Sequence, residues 1–259
     1  MSTPSVVRMT ASTFALGVMT VGAMAAAPAQ AQEGEVTLYV VQALPGEDVD
    51  ISVDDKVLAK DVATAEIAGP LTVSPGEKTW TFTDSDGKVI LENSVDAAVG
   101  DNSDVVLHLP AATGGKPVLT VFDNDLSAVP DDKASVTVAH TAAVPPADIL
   151  VDDEVLFANV ANGESLNLVV PADTYTVQIV PTGESEPSLL GPLDLPVEGG
   201  SLNRVYAVGT PETGTMNVAT HVIDVEEEGS GKPDVVNTGS GGQTAMLARA
   251  VDSLRGLWR

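Results

Sequence analysis

Apolar and polar residues alternate over short segments along much of this chain. Residues 49–53 read Val-Asp-Ile-Ser-Val, and a period of two is typical of a β-strand with one buried face. Residues 79–82 and 174–177 alternate in the same way, and each segment follows a Pro-containing turn. Strands at roughly ten-residue spacing, with Gly, Pro and Asp between them, indicate a β-sandwich. Further strands are predicted at residues 105–109, 118–122, 204–208 and 216–221.

The strongest internal signal is a repeat at an offset of 98 residues. Residues 50–58 and 148–156 are identical at seven of nine positions. A period near 100 residues is too long for a solenoid and indicates duplicated domains. The other matching segments are residues 37–40 with 135–138, and residues 75–82 with 171–177, the latter with one residue of slippage.

Both copies place two aspartates directly after a strand, Asp54-Asp55 and Asp152-Asp153. Because Asp tolerates positive φ, each pair predicts a tight hairpin. We therefore predict an all-β fold of two tandem immunoglobulin-like antiparallel β-sandwiches, at residues 32–131 and 132–225, with a short C-terminal helical tail.

The first 31 residues have the pattern of a secretory signal peptide. Arg8 is followed by apolar and small residues from Phe14 to Ala27, and Ala29-Gln30-Ala31 forms an A-x-A cleavage site. We expect cleavage after Ala31 and a secreted, extracellular or cell-envelope-associated bacterial protein. A membrane anchor is the alternative, but the strongly apolar part is too short to span ~30 Å of hydrocarbon.

The composition changes after Val225. Residues 226–233 are typical of a charged, flexible linker, and residues 246–258 carry apolar side chains at the spacing of an amphipathic helix. Asn237-Thr238-Gly239 loosely resembles the Thr-Gly pair that sortases cut. Three roles stay open for residues 226–259: a helix docked on the surface, a sorting-like segment, and a helix that contacts an envelope component or another partner.

Charge and composition exclude several function classes. Asp and Glu number 37 against 12 Lys and Arg, for a formal net charge of −25. No basic patch is available to neutralise phosphates, so we do not expect nucleic-acid binding. With no cysteine, the chain has no disulfides, thiol chemistry or Cys-ligated metal. The acidic residues are interpreted as a solvated surface, with divalent-cation binding as the alternative.

Several motifs resemble the domain-of-unknown-function family 4397. The family pattern has a strand ending near a His, a Pro-containing loop, a V-D-V-x-V-D-G hairpin and a later P-A-G-x-Y-x-V segment. The second copy matches it best, and the first copy departs from it with Gln42 in place of the His and Trp80 in place of the Tyr. The resemblance spans residues 35–225 and implies an actinobacterial-type secreted or envelope sandwich protein with no assigned chemistry. The matching segments are residues 136–140, 145–153 and 171–177.

Candidate chemistry is sparse. The histidines His108, His140 and His221 lack metal-ligand spacing. His140 precedes the loop that leads to Asp148, so a His140–Asp148 hydrogen bond could fix that loop or form part of a binding site. Gln42 and Asp50 occupy the equivalent positions in the first copy. Because Gln cannot act as a proton shuttle, this equivalence favours a packing role in both copies.

Three common catalytic motifs are absent from the sequence. No G-x-S-x-G, H-E-x-x-H or P-loop occurs. Residues 84–87 (Asp-Ser-Asp-Gly) are similar to the start of a calcium loop, but an Asp-Gly hairpin turn is favoured.

We therefore expect a non-enzymatic binding or structural protein without a cofactor, whose ligand or envelope partner the sequence does not identify. Two alternatives stay open: a calcium-stabilised envelope spacer, and a weak hydrolase with a site near His140 and Asp148.

Overall fold

Sixteen β-strands and one short 3-10 helix make up the described part of the chain. The computed structural model describes residues 34–98, 100–112 and 114–225. The first repeat comprises β1 (Val36–Gln42), β2 (Val49–Val53), β3 (Lys56–Val62), β4 (Ile67–Val73), β5 (Gly76–Asp84), β6 (Val89–Ala97), β7 (Asn102–His108) and β8 (Val118–Asp123). The second repeat comprises β9 (Lys133–His140), β10 (Ala147–Val151), β11 (Glu154–Val160), β12 (Ser165–Pro171), β13 (Thr174–Pro181), β14 (Leu190–Pro196), β15 (Ser201–Val208), the 3-10 helix Pro211–Thr213 and β16 (Asn217–Asp224). The predicted all-β class is confirmed.

Each repeat folds into two four-stranded sheets with the same strand order. The first repeat has the orders β4-β1-β7-β8 and β3-β2-β5-β6, and the second has β12-β9-β15-β16 and β11-β10-β13-β14. Adding eight to each strand number of the first repeat gives the strand orders of the second repeat. The duplication in the sequence is therefore a duplication of strand topology, and the boundary predicted after residue 131 lies between β8 and β9.

One strand pair in each repeat is parallel. Val40 of β1 lies beside Val105 of the parallel strand β7, and Val138 of β9 lies beside Val205 of β15. The predicted purely antiparallel arrangement is wrong at this pair. The chain visits the other sheet twice between β1 and β7, and a crossover of that length allows the returning strand to run in the same direction.

The aspartate hairpins form as predicted. Asp54-Asp55 has φ angles of 48° and 63°, and Asp152-Asp153 has 51° and 66°. The first aspartate of each pair accepts a hydrogen bond from a backbone N–H of the neighbouring strand, from Thr79 at 3.0 Å and from Thr176 at 3.2 Å. Each turn is thereby tied to its sheet.

Two of the strands that the sequence pattern did not reveal contain proline. Pro70 lies within β4 and Pro192 within β14, and Pro cannot donate a ladder hydrogen bond. Both strands lie at the edge of their sheets, which is where a sheet tolerates proline.

The strand ladders correct the alignment of the repeats at β5 and β13. Val53 lies opposite Trp80, and its counterpart Val151 lies opposite Val177. Trp80 is therefore equivalent to Val177, and its predicted match to Tyr175 is wrong. The similar Pro-containing turns before the two strands suggested the wrong offset, whereas ladder hydrogen bonds set the register.

Each repeat has an apolar core between its two sheets. In the first repeat, Trp80 and Phe82 are fully buried and stack with ring centroids 6.3 Å apart. In the second repeat, the core residues are more accessible, with Val151 and Tyr175 each 9% exposed.

The two repeats pack against each other through the sheets that contain β7 and β15. One apolar cluster joins Val106 and Phe122 of the first repeat to Tyr206 and Val208 of the second. We call this contact the inter-repeat interface. Along β7 and along β15, successive side chains alternate between the core of their own repeat and the inter-repeat interface. Both strands are therefore buried on both faces.

Predictions for both chain ends lie outside the described residues. These are the signal peptide at residues 1–31 with cleavage after Ala31, and the tail at residues 226–259 with Asn237-Thr238-Gly239 and the amphipathic helix. Within the described residues, no helix has the length and apolar character needed to cross a membrane.

Candidate functional site at the inter-repeat interface

A buried cluster of polar side chains surrounds Asp104 in the inter-repeat interface. Its Oδ2 accepts hydrogen bonds from Nε of Arg204 at 2.7 Å and from the hydroxyl of Tyr206. Nε2 of His221 lies 3.2 Å from the same oxygen. Asp104 belongs to β7, whereas the other three residues belong to β15 and β16. One carboxylate thus joins the two repeats.

Amide and aromatic groups complete the surroundings of this ion pair. Nδ2 of Asn124 donates to the second oxygen of Asp104 at 3.2 Å. The guanidinium carbon of Arg204 lies 5.4 Å from the ring centroid of Tyr206 and 5.9 Å from that of Phe122, distances at which a ring face attracts a cation. Nη2 of Arg204 is buried without a hydrogen-bond partner.

Asp104 and Arg204 occupy the same position in the two repeats. Each directly precedes the valine, Val105 or Val205, that pairs with the equivalent residue of the parallel neighbour strand. Contact between equivalent positions is the property of an isologous interface. Two first repeats packed in this way would oppose aspartate to aspartate, whereas the two equivalent positions of this chain carry opposite charges.

Burial and charge act in opposite directions on Asp104. Desolvation is the largest effect and raises its pKa. The hydrogen bonds with His221 and Tyr206 and the charges of Arg204 and His221 together outweigh it, so the pKa lies below the ordinary 3.8. Burial, followed by the charge of Asp104, raises the pKa of Tyr206 above its ordinary value of 10.0. Asp104 is therefore ionised at neutral pH, and Tyr206 is a protonated donor.

This cluster contains groups that transfer protons in enzymes, but its Asp104 carboxylate is closed off from solvent. The side chain of Asp104 is 0% exposed and that of Arg204 is 1% exposed. A general acid or base must lie within hydrogen-bond reach of its substrate. The geometry instead fixes the position of one sheet against the other.

Sequence reasoning missed Asp104, Arg204 and Tyr206. A signal was present, since Arg204 is the one charged residue of strand 201–208 in a chain with few cations. An isolated arginine in a strand fully buried on both faces requires a partner. Which residue supplies it depends on the packing of the two repeats.

Gln42 and His140, two of the four predicted site residues, support loops. Nε2 of Gln42 donates to the carbonyl of Glu47 at 2.6 Å, and its Oε1 accepts from the N–H of Leu44 at 2.6 Å. Nε2 of His140 lies 3.4 Å from the carbonyl of Pro145. Both side chains therefore hold the segment that follows their strand.

Asp50 and Asp148 stabilise equivalent β-bulges. Asp50 accepts the N–H of Asp61 at 2.9 Å, and Asp148 accepts that of Asn159 at 2.7 Å. Both donor residues have positive φ. Asp148 also accepts the N–H of Gly183 at 2.9 Å, which is the main cause of its lowered pKa. The bond to Asp61 lowers the pKa of Asp50 in the same way.

The structure does not join His140 to Asp148. Each has the partners given above, and no hydrogen bond links them, so the expected His140–Asp148 hydrogen bond is wrong. Instead, the two oxygens of Asp148 accept the backbone N–H groups of Asn159 and Gly183.

His108 is a second buried histidine near the inter-repeat interface. Its Nε2 lies 2.8 Å from Oγ1 of Thr120, and its Nδ1 lies 3.0 Å from the carbonyl of Leu109. Burial lowers the pKa of His108 and of His140, and His140 lies close enough that its charge lowers the pKa of His108 further.

We expect acid to destabilise the protein before its carboxylates titrate. The pKa values of His108 and His140 lie below their ordinary 6.5 in the folded chain. Below about pH 6.5 the unfolded chain therefore binds more protons than the folded chain does. The free energy of unfolding decreases as the pH falls through this range. Melting temperatures measured by circular dichroism from about pH 7.5 to about pH 5 should fall steadily.

Glutamine at these two positions provides the control. His140→Gln copies the natural Gln42 of the first repeat, and combined with His108→Gln it should flatten the pH dependence in this window. An unchanged slope in the double variant would assign the effect to other groups.

The acidic motifs form turns. Asp84 ends β5, and its Oδ1 accepts the N–H groups of Asp86 and Lys88 at 3.0 and 2.9 Å, which confirms the predicted hairpin turn at residues 84–87. Across the described ranges, no group of three or more His, Asp or Glu side chains is placed to hold a metal ion.

Comparison with known proteins identifies one family. No curated protein matches the chain significantly. The family model described as Domain of unknown function (DUF4397) matches residues 36–147. This match covers the whole first repeat and the start of the second and ends at Ala147, so it does not extend over the predicted range of residues 35–225. Residues 36–147 are therefore similar to the DUF4397 family.

Proposed function

We propose that this protein is an exported, envelope-associated, non-catalytic binding or structural protein that acts as one rigid body. The observation that carries this function is the inter-repeat interface with its buried Asp104–Arg204 pair. Two immunoglobulin-like sandwiches held in this way would present their loops and sheet edges to a partner in a constant relative orientation.

The segment between the repeats supports this rigidity. Asn124 follows β8 directly, and its side chain donates to Asn102 at 2.8 Å and to Asp104 at 3.2 Å. Val129 is 8% exposed and packs with Leu202 and Ile223 of the second repeat. Residues 124–129 are thus held at both ends, unlike a free linker.

The hydrogen bonds of the candidate residues support a role without catalysis. Gln42, Asp50, His140 and Asp148 each hold a loop or a bulge. To act on a substrate, each of these side chains would have to give up the backbone group that it holds. The hydrolase and calcium-spacer alternatives gain no specific support from the described residues.

Export rests on the signal-peptide pattern of residues 1–31, and the acidic composition favours a partner that is not a polyanion. We further propose that the tail at residues 226–259 contains an amphipathic helix that contacts the envelope.

Fractionation tests this function. The full chain expressed in a bacterial host should be recovered outside the cytoplasm with Gln32 at its N-terminus, as determined by mass spectrometry. Purified protein should sediment with an envelope fraction, and a chain ending at Val225 separates recognition by the tail from recognition by the repeats. Cytoplasmic, uncleaved protein that does not sediment would refute the proposal.

A further inference from the structure

The second repeat contains an apolar cavity between its two sheets. The space that the centre of a water molecule can occupy is about 60 Å³, several times the roughly 10–15 Å³ that one water requires. Its walls come from both sheets and are almost entirely aliphatic. Lining residues include Val136, Val151, Leu168, Val177, Ile179 and Leu193.

Two side-chain differences between the repeats account for this cavity. Trp80 is equivalent to Val177, and the same register makes Phe82 equivalent to Ile179. Trp80 and Phe82 are 0% exposed in the core of the first repeat. The second repeat therefore lacks both central rings while keeping the same strand order.

The aromatic residues of the second repeat do not replace those rings. Tyr175 and Phe157 line the cavity and leave it unfilled. The hydroxyl of Tyr175 donates to the carbonyl of Pro171 at 2.9 Å, which keeps its polar end at the start of the strand. Protein interiors normally pack without such voids, so this cavity is unusual for the core of a β-sandwich.

Water is a poor occupant of this cavity. A buried water needs two to four polar partners, and the lining offers few, with Gln178 and the already bonded Tyr175 as its polar side chains. An apolar molecule, in contrast, would gain about 25 cal/mol for each Å² of its surface removed from water.

The lining also indicates the shape and charge of the occupant. On β13 it extends from Tyr175 to Ile179, about 13 Å along the strand, between sheets that stack face to face. A slot of this kind fits a single hydrocarbon chain. With 37 carboxylates against 12 cations, the protein would repel an anionic head group.

We propose that the second repeat binds the hydrocarbon chain of an uncharged amphiphile between its two sheets. A ligand site of this kind presupposes the binding role proposed above and names its ligand class. The first repeat, filled by Trp80 and Phe82, serves as the rigid partner without such a site.

Fluorescence of the neutral probe N-phenyl-1-naphthylamine, with decanol as competitor, tests this site. The full chain should bind the probe saturably, and decanol should displace it. Val177→Trp restores the ring of the first repeat inside the cavity and should raise the Kd for the probe by about tenfold or more. Ile179→Phe, a smaller change that copies Phe82, should weaken binding in the same direction if Val177→Trp does not fold.

Val169→Trp is the matched control. Val169 lies on β12 between the lining residues Leu168 and Val170 but is 45% exposed, so the same substitution adds a ring outside the cavity. Its Kd should equal that of the unsubstituted chain. Absence of saturable probe binding, or equal binding by a folded Val177→Trp or Ile179→Phe variant, would overturn the proposal.

Envelope sedimentation distinguishes this inference from the proposed function. If the chain sediments with envelopes but binds no probe, only the apolar site is wrong. If it binds the probe but neither leaves the cytoplasm nor sediments, the site stands and the envelope role is wrong.

Discussion

Asp104→Ala is expected to lower the free energy of unfolding by about 3–5 kcal/mol, because it leaves Arg204 buried without a countercharge. Tyr206 loses its acceptor in the same change, and His221 loses its contact with the carboxylate. Urea unfolding followed by circular dichroism measures the loss. If the interface couples the repeats, the single transition of the unsubstituted protein should separate into two in this variant.

Two controls distinguish the effect of breaking the buried ion pair from the effect of removing a charge elsewhere. Lys60→Met breaks the ion pair between Lys60 and Asp50, and because the Lys60 side chain is 65% exposed, stability should change by less than about 1 kcal/mol. Replacing both buried partners, Asp104→Leu with Arg204→Met, should recover much of the lost stability, since no charge is then stranded. A double variant as unstable as Asp104→Ala would contradict this explanation.

Trp80→Ala is expected to cost about 3–5 kcal/mol, the range for removing a large aromatic ring from a packed core. Trp80 is 0% exposed and stacks on Phe82. Its Nε1 has no hydrogen-bond partner, so removing that group offsets a small part of the loss. Urea unfolding again provides the measurement.

The equivalent truncation in the second repeat is the comparison. Val177→Ala should cost roughly 1–2 kcal/mol, close to the transfer free energy of the removed carbons, because its side chain already borders open space. Equal costs for Trp80→Ala and Val177→Ala, despite their different sizes, would show that the second core is not open in solution.

The local pattern was sufficient to predict the repeat, the hairpins and the central strands. Asp54-Asp55 and Asp152-Asp153 adopt positive φ because a two-residue turn demands it, which is a property of adjacent residues. The edge strands β4 and β14 were missed because Pro70 and Pro192 interrupt the alternation that a sequence pattern detects. The parallel pairing of β1 with β7 depends on how the chain crosses between sheets, which alternation does not encode.

The sequence singled out some residues of the candidate sites but not the contacts that they make. Asp50 and Asp148 stood out through the repeat, and each indeed holds an equivalent bulge, but the predicted contact of His140 with Asp148 does not form. The three histidines have no common spacing along the chain, yet all of them lie on the two sheets that meet at the inter-repeat interface. Pairwise contacts of this kind depend on side-chain direction across a register that adjacent residues do not determine.

The amino-acid sequence by itself determined the all-β class, the duplication and the acidic surface, because each follows from composition or from periodicity within a few residues. Only the tertiary structure decided that Trp80 is equivalent to Val177, that Asp104 meets Arg204, and that the second repeat contains an apolar cavity. These three features arise from ladder register and from the packing of sheets made of residues about 100 positions apart, where burial and charge pairing, rather than local propensity, select the arrangement.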